Sequence, residues 1–162
     1  MPSPAELIAD QLFRGDLSPE ERRAAVQVIA HRAPDWRFWA RPNQLEPPGN
    51  DWQIWANVAG RGSGKTRTGA EWVIDRSIQY HRAGVKHRGG LVGRTAADVR
   101  DTMVEGDSGL MACLDRRKIK AKYEPGRRRI VIRPLQTVFH TYSAMEPDSL
   151  RGPQHHSLWC DE

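Results

Sequence analysis

Only two cysteines occur in this 162-residue chain, Cys113 and Cys160, and they stand in no metal-binding or redox spacing. Their scarcity argues against a disulfide-stapled scaffold or a cysteine-built metal site and suits a reduced, cytosolic setting. No stretch approaches the roughly 20 apolar residues that a membrane-spanning helix needs. Glu6 and Asp10 interrupt the few apolar residues near the N-terminus, so this segment does not read as a secretory signal. Neither sign of charge dominates: 25 Lys and Arg face 20 Asp and Glu, giving a formal net charge of +5 and a sequence pI of about 9.6. That balance allows a polyanionic partner without demanding one. With 28% charged and 38% hydrophobic residues, the chain has an ordinary globular composition and enough length for one domain with its own core.

Chemistry is concentrated in Ala59-Gly60-Arg61-Gly62-Ser63-Gly64-Lys65-Thr66. Ahead of it, apolar residues take every second position from Trp52 to Val58, which predicts a strand. Behind it, Ala70, Val73, Ile74, Ser77 and Ile78 fall on one face of a helix predicted over Thr66 to His81. Strand, glycine-rich turn, Lys-Thr and helix together make a Walker A phosphate-binding loop. Gly60, Gly62, Ser63 and Gly64 form the turn, whose glycines let the backbone bend and aim its N–H groups at phosphate oxygens. The helix N-terminus adds partial positive charge beneath the same anion. Lys65 is expected to reach the β- and γ-phosphates, and the Thr66 hydroxyl to bind Mg²⁺. The one departure is Ala59, a small residue where the pattern begins with glycine.

The rest of the chain reads as helices and strands around that loop. A short helix fits Ser3 to Phe13, closed by Arg14-Gly15. Ser18 as N-cap, Pro19 in the first turn and Glu21 as capping-box partner predict a second, with Ala24, Ala25, Val28 and Ile29 packing on the core. Trp36, Phe38 and Trp39 read as core or interface, and residues 41–51 as a loop. Gly89 to Arg94 predicts a short buried strand. Thr95 is the expected cap of a helix from Ala96 to Glu105, and Ser108 of a segment through Leu114. Between Ile119–Tyr123 and Arg128–Ile132, Glu124-Pro125-Gly126-Arg127 reads as a hairpin turn. Lys and Arg crowd both arms, consistent either with a solvated or charge-protected edge or with contacts to a phosphate backbone. Thr137 to Tyr142 predicts another strand, followed by a loop over Ser143 to Gln154. Alternation of strands and helices implies a parallel sheet with helices on its faces.

The final run, Ser157-Leu158-Trp159-Cys160-Asp161-Glu162, ends an apolar strand in two carboxylates, the Walker B arrangement. Asp161 would join Thr66 in the Mg²⁺ shell, and Glu162 would act as general base on the attacking water. His155 and His156 precede it without a third ligand, so they read as polar residues leading into the strand and not as a metal site.

These pieces resemble the N-terminal ATPase region of the large terminase subunit, the DNA-packaging motor of tailed bacteriophages and of gene transfer particles. The resemblance rests on Arg-Pro-Asn-Gln-Leu-Glu-Pro-Pro from Arg41, on Trp55 to Trp72 around the glycine loop, and on Leu150 to Glu162, spanning about three-quarters of the chain. It implies an α/β P-loop NTPase of the ASCE type, with a mainly parallel sheet flanked by helices. Residues 1–40 would form a short helical extension, and residues 41–162 a partial ATPase domain ending at Walker B. The resemblance also implies a strand between those of Walker A and Walker B that follows Walker B in sequence, and a nuclease domain further on. Both would fall beyond Glu162, leaving sheet edges unpaired and nucleotide turnover poor. Three further roles come from the resemblance alone: Arg61 on the nucleotide phosphates, Gln44 on the adenine edge, and Arg151 as an arginine finger into a neighbouring subunit. For Arg151 the alternative is a bond from its guanidinium to loop carbonyls. ATP and Mg²⁺ are the implied cofactors. The implied partners are double-stranded DNA, the portal protein, the small terminase subunit and further copies in a ring, with no membrane. The implied location is the infected host's cytoplasm, docked on the procapsid portal. Competing readings are a helicase-like DNA-dependent ATPase, a non-catalytic nucleotide- or DNA-binding module, and a small-molecule kinase, which would not explain Arg61, Gln44 and the Asp-Glu pair together.

Overall fold

The computed structural model describes residues 1–15, 17–49 and 51–161, and the chain divides into two compact units, Met1–Gly60 and Arg61–Glu162. In the first, helices α1 (Pro4–Arg14) and α2 (Pro19–Arg32) start as their Ser-Pro-x-Glu sequences dictate. The Glu6 N–H donates to Ser3 Oγ at 3.1 Å, while the Ser3 N–H donates to the Glu6 carboxylate at 2.7 Å. Ser18 and Glu21 repeat this exchange at 3.3 and 2.8 Å. Each such box satisfies two otherwise orphaned N–H groups and contributes about 1 kcal/mol. The predicted apolar stripe of α2 is corrected, because no residue of that helix is buried. Its apolar residues run consecutively through Ala24–Val26 and Val28–Ala30, so at 100° per residue they spread around the helix. The small core of this unit is instead Ala5, Trp36, Phe38 and Ala40, with Trp36 and Phe38 supplied by the single turn α3 (Trp36–Trp39).

Residues 51–60 form no strand, which corrects the strand expected over Trp52 to Val58. Ile54 is 86% exposed and Val58 94% exposed. Apolar alternation supplies only a face; a strand also needs a neighbour to complete its hydrogen-bond ladder. Among the described residues, the sheet ladder is made by other segments and this stretch is not one of its strands.

The second unit is a five-stranded sheet in the order β2-β3-β4-β1-β5, where β1 is His87–Gly93, β2 Lys122–Glu124, β3 Arg129–Ile132, β4 Thr137–Ser143 and β5 Ser157–Asp161. Strand β1 runs parallel to both β4 and β5, whereas β2, β3 and β4 form an antiparallel meander. The sheet is therefore mixed where a mainly parallel one was expected. Tight 3₁₀ turns at Pro125–Arg127 and Arg133–Leu135 join the meander, and such short connections can only reverse the chain.

Helix α4 (Lys65–Arg82) buries the predicted face, Ala70, Val73, Ile74 and Ser77, together with Thr68 and Glu71. Thr95 caps as expected, but its helix changes character after one turn: α5 (Ala96–Asp98) passes into a π-helical turn over Val99–Val104. Ser108 is not the cap of α6 (Leu110–Arg116). Gly109 holds that place, with no side-chain bond to the helix. The core joins α4, α6 and the π-helical turn to the sheet through Ile74, Leu91, Met103, Leu114, Ile130 and Phe139. Each such fully buried side chain contributes roughly 1.5–3 kcal/mol of transfer free energy.

Candidate nucleotide site at the end of helix α4

Helix α4 lies antiparallel to β5 and is fastened to the sheet at three levels. At its N-terminus, Thr66 Oγ1 donates to Asp161 Oδ2 at 3.3 Å, across 95 residues of sequence. In its middle stands Gly69, where a Cβ would sit 2.2 Å from the Trp159 indole. Glycine inside a helix costs about 1 kcal/mol relative to alanine. Here its missing side chain is the space into which the indole fits. Toward the C-terminus, Ser77 Oγ donates to the Val73 carbonyl at 2.8 Å and contacts His87 Nδ1 at 3.2 Å, while His87 Nε2 meets Ser157 Oγ at 2.9 Å.

Hydrogen-bond accounting fixes the His87 tautomer. Since the Ser77 proton goes to Val73, Nδ1–H must donate to Ser77 and Nε2 accept from Ser157. Burial, with lesser contributions from the charges of His156 and Arg76, lowers the His87 pKa to about 4. Rise per residue makes these fastenings compatible: eleven helical steps cover about 16 Å and four strand steps about 13 Å. The lower fastening and the Trp159 contact thus hold the first turn of α4 beside the C-terminal end of β5.

Above that turn, Gly62 and Gly64 adopt φ of 78° and 83°, in the left-handed region that side-chain-bearing residues avoid. Gly64 is the N-cap and makes no side-chain cap bond. Lys65 and Thr66 are half-buried, as are Ser63 and Asp161. The loop thus delivers an uncapped helix end, an ammonium, a hydroxyl and a carboxylate to one end of the sheet. Such a set suits an anion accompanied by a hard cation with oxygen ligands.

Arg61 is exposed at the tip of the loop, while Gly60 closes the other compact unit and does not adopt a positive φ. Gln44 also belongs to that first unit. Its Oε1 accepts the Arg41 N–H at 3.0 Å in a 3₁₀ turn at Pro42–Gln44. Arg151 lies between β4 and β5, its side chain 85% exposed, and its Nε pairs with Asp148 at 3.2 Å. Its guanidinium partner is therefore a carboxylate and not a loop carbonyl. Glu162, the expected general base, lies outside the described residues. His155 bonds the Tyr142 hydroxyl at 2.9 Å, and His156 Nδ1 accepts the Arg88 N–H at 3.0 Å. Among the described residues no cluster of three His, Cys, Asp or Glu could hold a metal.

Two supports of the site escaped the sequence reading. One is the Gly69–Trp159 contact, whose only signal was a glycine inside a helical pattern. The other is a buried charge network in which Arg117 Nε donates to Glu71 Oε2 at 2.7 Å and a second nitrogen reaches Asp75. Arg67, next to Thr66, lies 3.5 Å from Glu71. Burial raises the Glu71 pKa against the pull of Arg117 and Arg67. Burial lowers that of Arg117, but Asp75 and Glu71 outweigh it and the net shift is upward. These shifts favour opposite states of the pair. The short charge-assisted bonds decide for the ionised form.

Residues 57–162 match the family model described as terminase large subunit, T4likevirus-type, N-terminal. No curated protein matches the chain, and no solved structure does.

Proposed function

This chain belongs to the terminase large-subunit family, and on that premise we propose that it is the ATP-hydrolysing part of a motor that drives double-stranded DNA into a procapsid. The observation that carries the ATPase reading is the Thr66–Asp161 contact at 3.3 Å, which joins the residues of the Walker A and Walker B patterns. Its oxygen donors and the uncapped α4 N-terminus fit Mg²⁺ and a phosphate chain, as in a P-loop NTPase of the ASCE type.

Bound magnesium would neutralise charge on the β- and γ-phosphate oxygens. Gly60, Gly62, Ser63 and Gly64 cradle the phosphates with backbone N–H groups, Lys65 neutralises them, and Thr66 and Asp161 hold the metal. In this reading Glu162 takes the proton of the attacking water, Arg61 contacts the phosphates, and Gln44 reads the adenine edge. The exposed Arg151 serves a neighbouring copy in a ring. The portal protein and small terminase subunit complete the assembly in the infected host's cytoplasm.

Phosphate release measured with and without Mg²⁺ tests the proposal. Lys65→Ala and Asp161→Asn are expected to lower turnover at least 100-fold, roughly the loss of one strong transition-state contact. Turnover unchanged in both variants would overturn it.

A further inference from the structure

We propose that the β2–β3 hairpin and the segment leading into it form the surface on which duplex DNA lies, held through its phosphates. This rests on the reading of the chain as a motor acting on DNA; what it adds is the surface. Residues 116–133 carry nine Lys and Arg against one acid, Glu124, while the rest of the chain carries sixteen against nineteen. All the positive excess of the protein is therefore in this stretch.

The fold turns that composition into a surface. Ile119, Ala121 and Tyr123 pack against the core, and the alternating Lys118, Lys120 and Lys122 are exposed. Lys122 opens β2, whereas Lys118 stands in the turn that follows α6, with φ of 58°. Arg127 and Arg128 extend the exposed basic row around the turn, and Arg133 follows β3. Three ion pairs shape the hairpin: Arg129 with Glu124 at 2.8 Å, Lys122 with Glu124 at 3.6 Å and Arg128 with Glu146 at 3.1 Å. Lys118, Lys120, Arg127 and Arg133, in contrast, have no carboxylate partner within 4.0 Å among the described residues.

Protection of the sheet edge does not account for this pattern. Strand β2 is three residues long, and Lys118, Arg127 and Arg133 lie off it. The chemistry also selects a duplex over a single strand. Single-strand surfaces combine positive charge with exposed aromatic rings on which bases stack. The one aromatic here, Tyr123, packs inward. Charge without stacking groups or a reading helix fits sequence-independent contact with a phosphate backbone. Strand β2 is also the edge of the sheet opposite β5, with three strands between them, so DNA on the hairpin leaves the Thr66–Asp161 site clear.

The test is fluorescence anisotropy of a labelled duplex of arbitrary sequence, titrated with the protein across a series of NaCl concentrations. One variant combines Lys118→Gln, Lys120→Gln, Arg127→Gln and Arg133→Gln. A control of equal charge change combines Arg23→Gln, Arg82→Gln, Lys86→Gln and Arg88→Gln, all exposed and outside residues 116–133. With about 0.9 log unit of salt slope per phosphate contact, the four substitutions of the hairpin variant should remove about 3.6 from the slope. It should bind at least tenfold more weakly near 0.1 M salt, while the control changes less than threefold. Equal losses in both variants, an unchanged slope in the hairpin variant, or tighter binding of a single strand than of the duplex would overturn the proposal. Mg·ATP binding in the same samples separates the two readings. Wild-type protein that binds nucleotide but no duplex overturns the hairpin surface alone. Protein that binds duplex through the hairpin but no nucleotide supports this surface and removes the ATPase reading.

Discussion

Two seven-residue stretches contrast sharply. Trp52–Val58 has the cleaner apolar alternation, yet it forms no strand and leaves Ile54 and Val58 in solvent. His87–Gly93 contains three glycines, which weaken strands, yet it is paired along its length with β4 and over Gly89–Gly93 with β5. The glycines of β1 make room for its neighbours: a Cβ at Gly89 would stand 2.2 Å from Phe139, and one at Gly90 2.5 Å from Leu158. Strand identity here is set by what lies on either side, and side-chain patterning is secondary. The site inherits that dependence, because Asp161 stands where it does through β5's pairing with β1.

The largest effects are expected where β1 and α4 bury what the 52–58 stretch leaves exposed. Gly89→Val should cost more than 3 kcal/mol, or prevent folding of the second unit, since the clash is with a fully buried ring. Glu71→Ala should cost about 3–5 kcal/mol by leaving Arg117 buried beside a lost partner. Ile54→Ser, by contrast, should change stability by less than about 0.5 kcal/mol. Denaturant unfolding followed by far-UV circular dichroism reads both variants; equal losses at Gly89 and Ile54 would erase the distinction.

A pH titration sharpens the same contrast at the lower end of β1. His87 takes up its proton near pH 6.5 when unfolded and only near pH 4 when folded. Between those values the unfolded chain holds more protons, so falling pH favours unfolding, by about 3 kcal/mol in total. The unfolding midpoint should fall from pH 6.5 to 4, and His87→Gln should flatten that dependence. Smaller again is Gly69→Ala, expected to cost about 1–3 kcal/mol by displacing Trp159, against a helix-propensity gain near 1. It should also weaken Mg·ATP binding although it touches no ligand. Smaller still is Ser18→Ala, about 1 kcal/mol in the first unit only, visible by amide exchange in α2.

Local signals were legible in the sequence: the short helix after Ser3, the capping box at Ser18, the buried face of α4, the Thr95 cap, and the hairpin around Pro125-Gly126. Each is written within a few residues, so no distant partner is needed to read it. Sheet order, the antiparallel meander and the absence of a strand at 52–58 depend on contacts far apart in sequence. The same holds for the site. Thr66 and Asp161 were named from their motifs, but Gly69–Trp159 and Arg117–Glu71 link residues 90 and 46 positions apart that no motif connects.

The central claim is that Thr66 and Asp161 share one magnesium-dependent task, and calorimetric binding of ATP with and without Mg²⁺ tests it most directly. Measured for Thr66→Ala, Asp161→Asn and the double variant, each single change should abolish the Mg²⁺-dependent part of the affinity. The double variant should lose no more than either single one, as expected of residues serving one ion. Losses that add in full, or nucleotide affinity indifferent to Mg²⁺ in the wild-type protein, would contradict it.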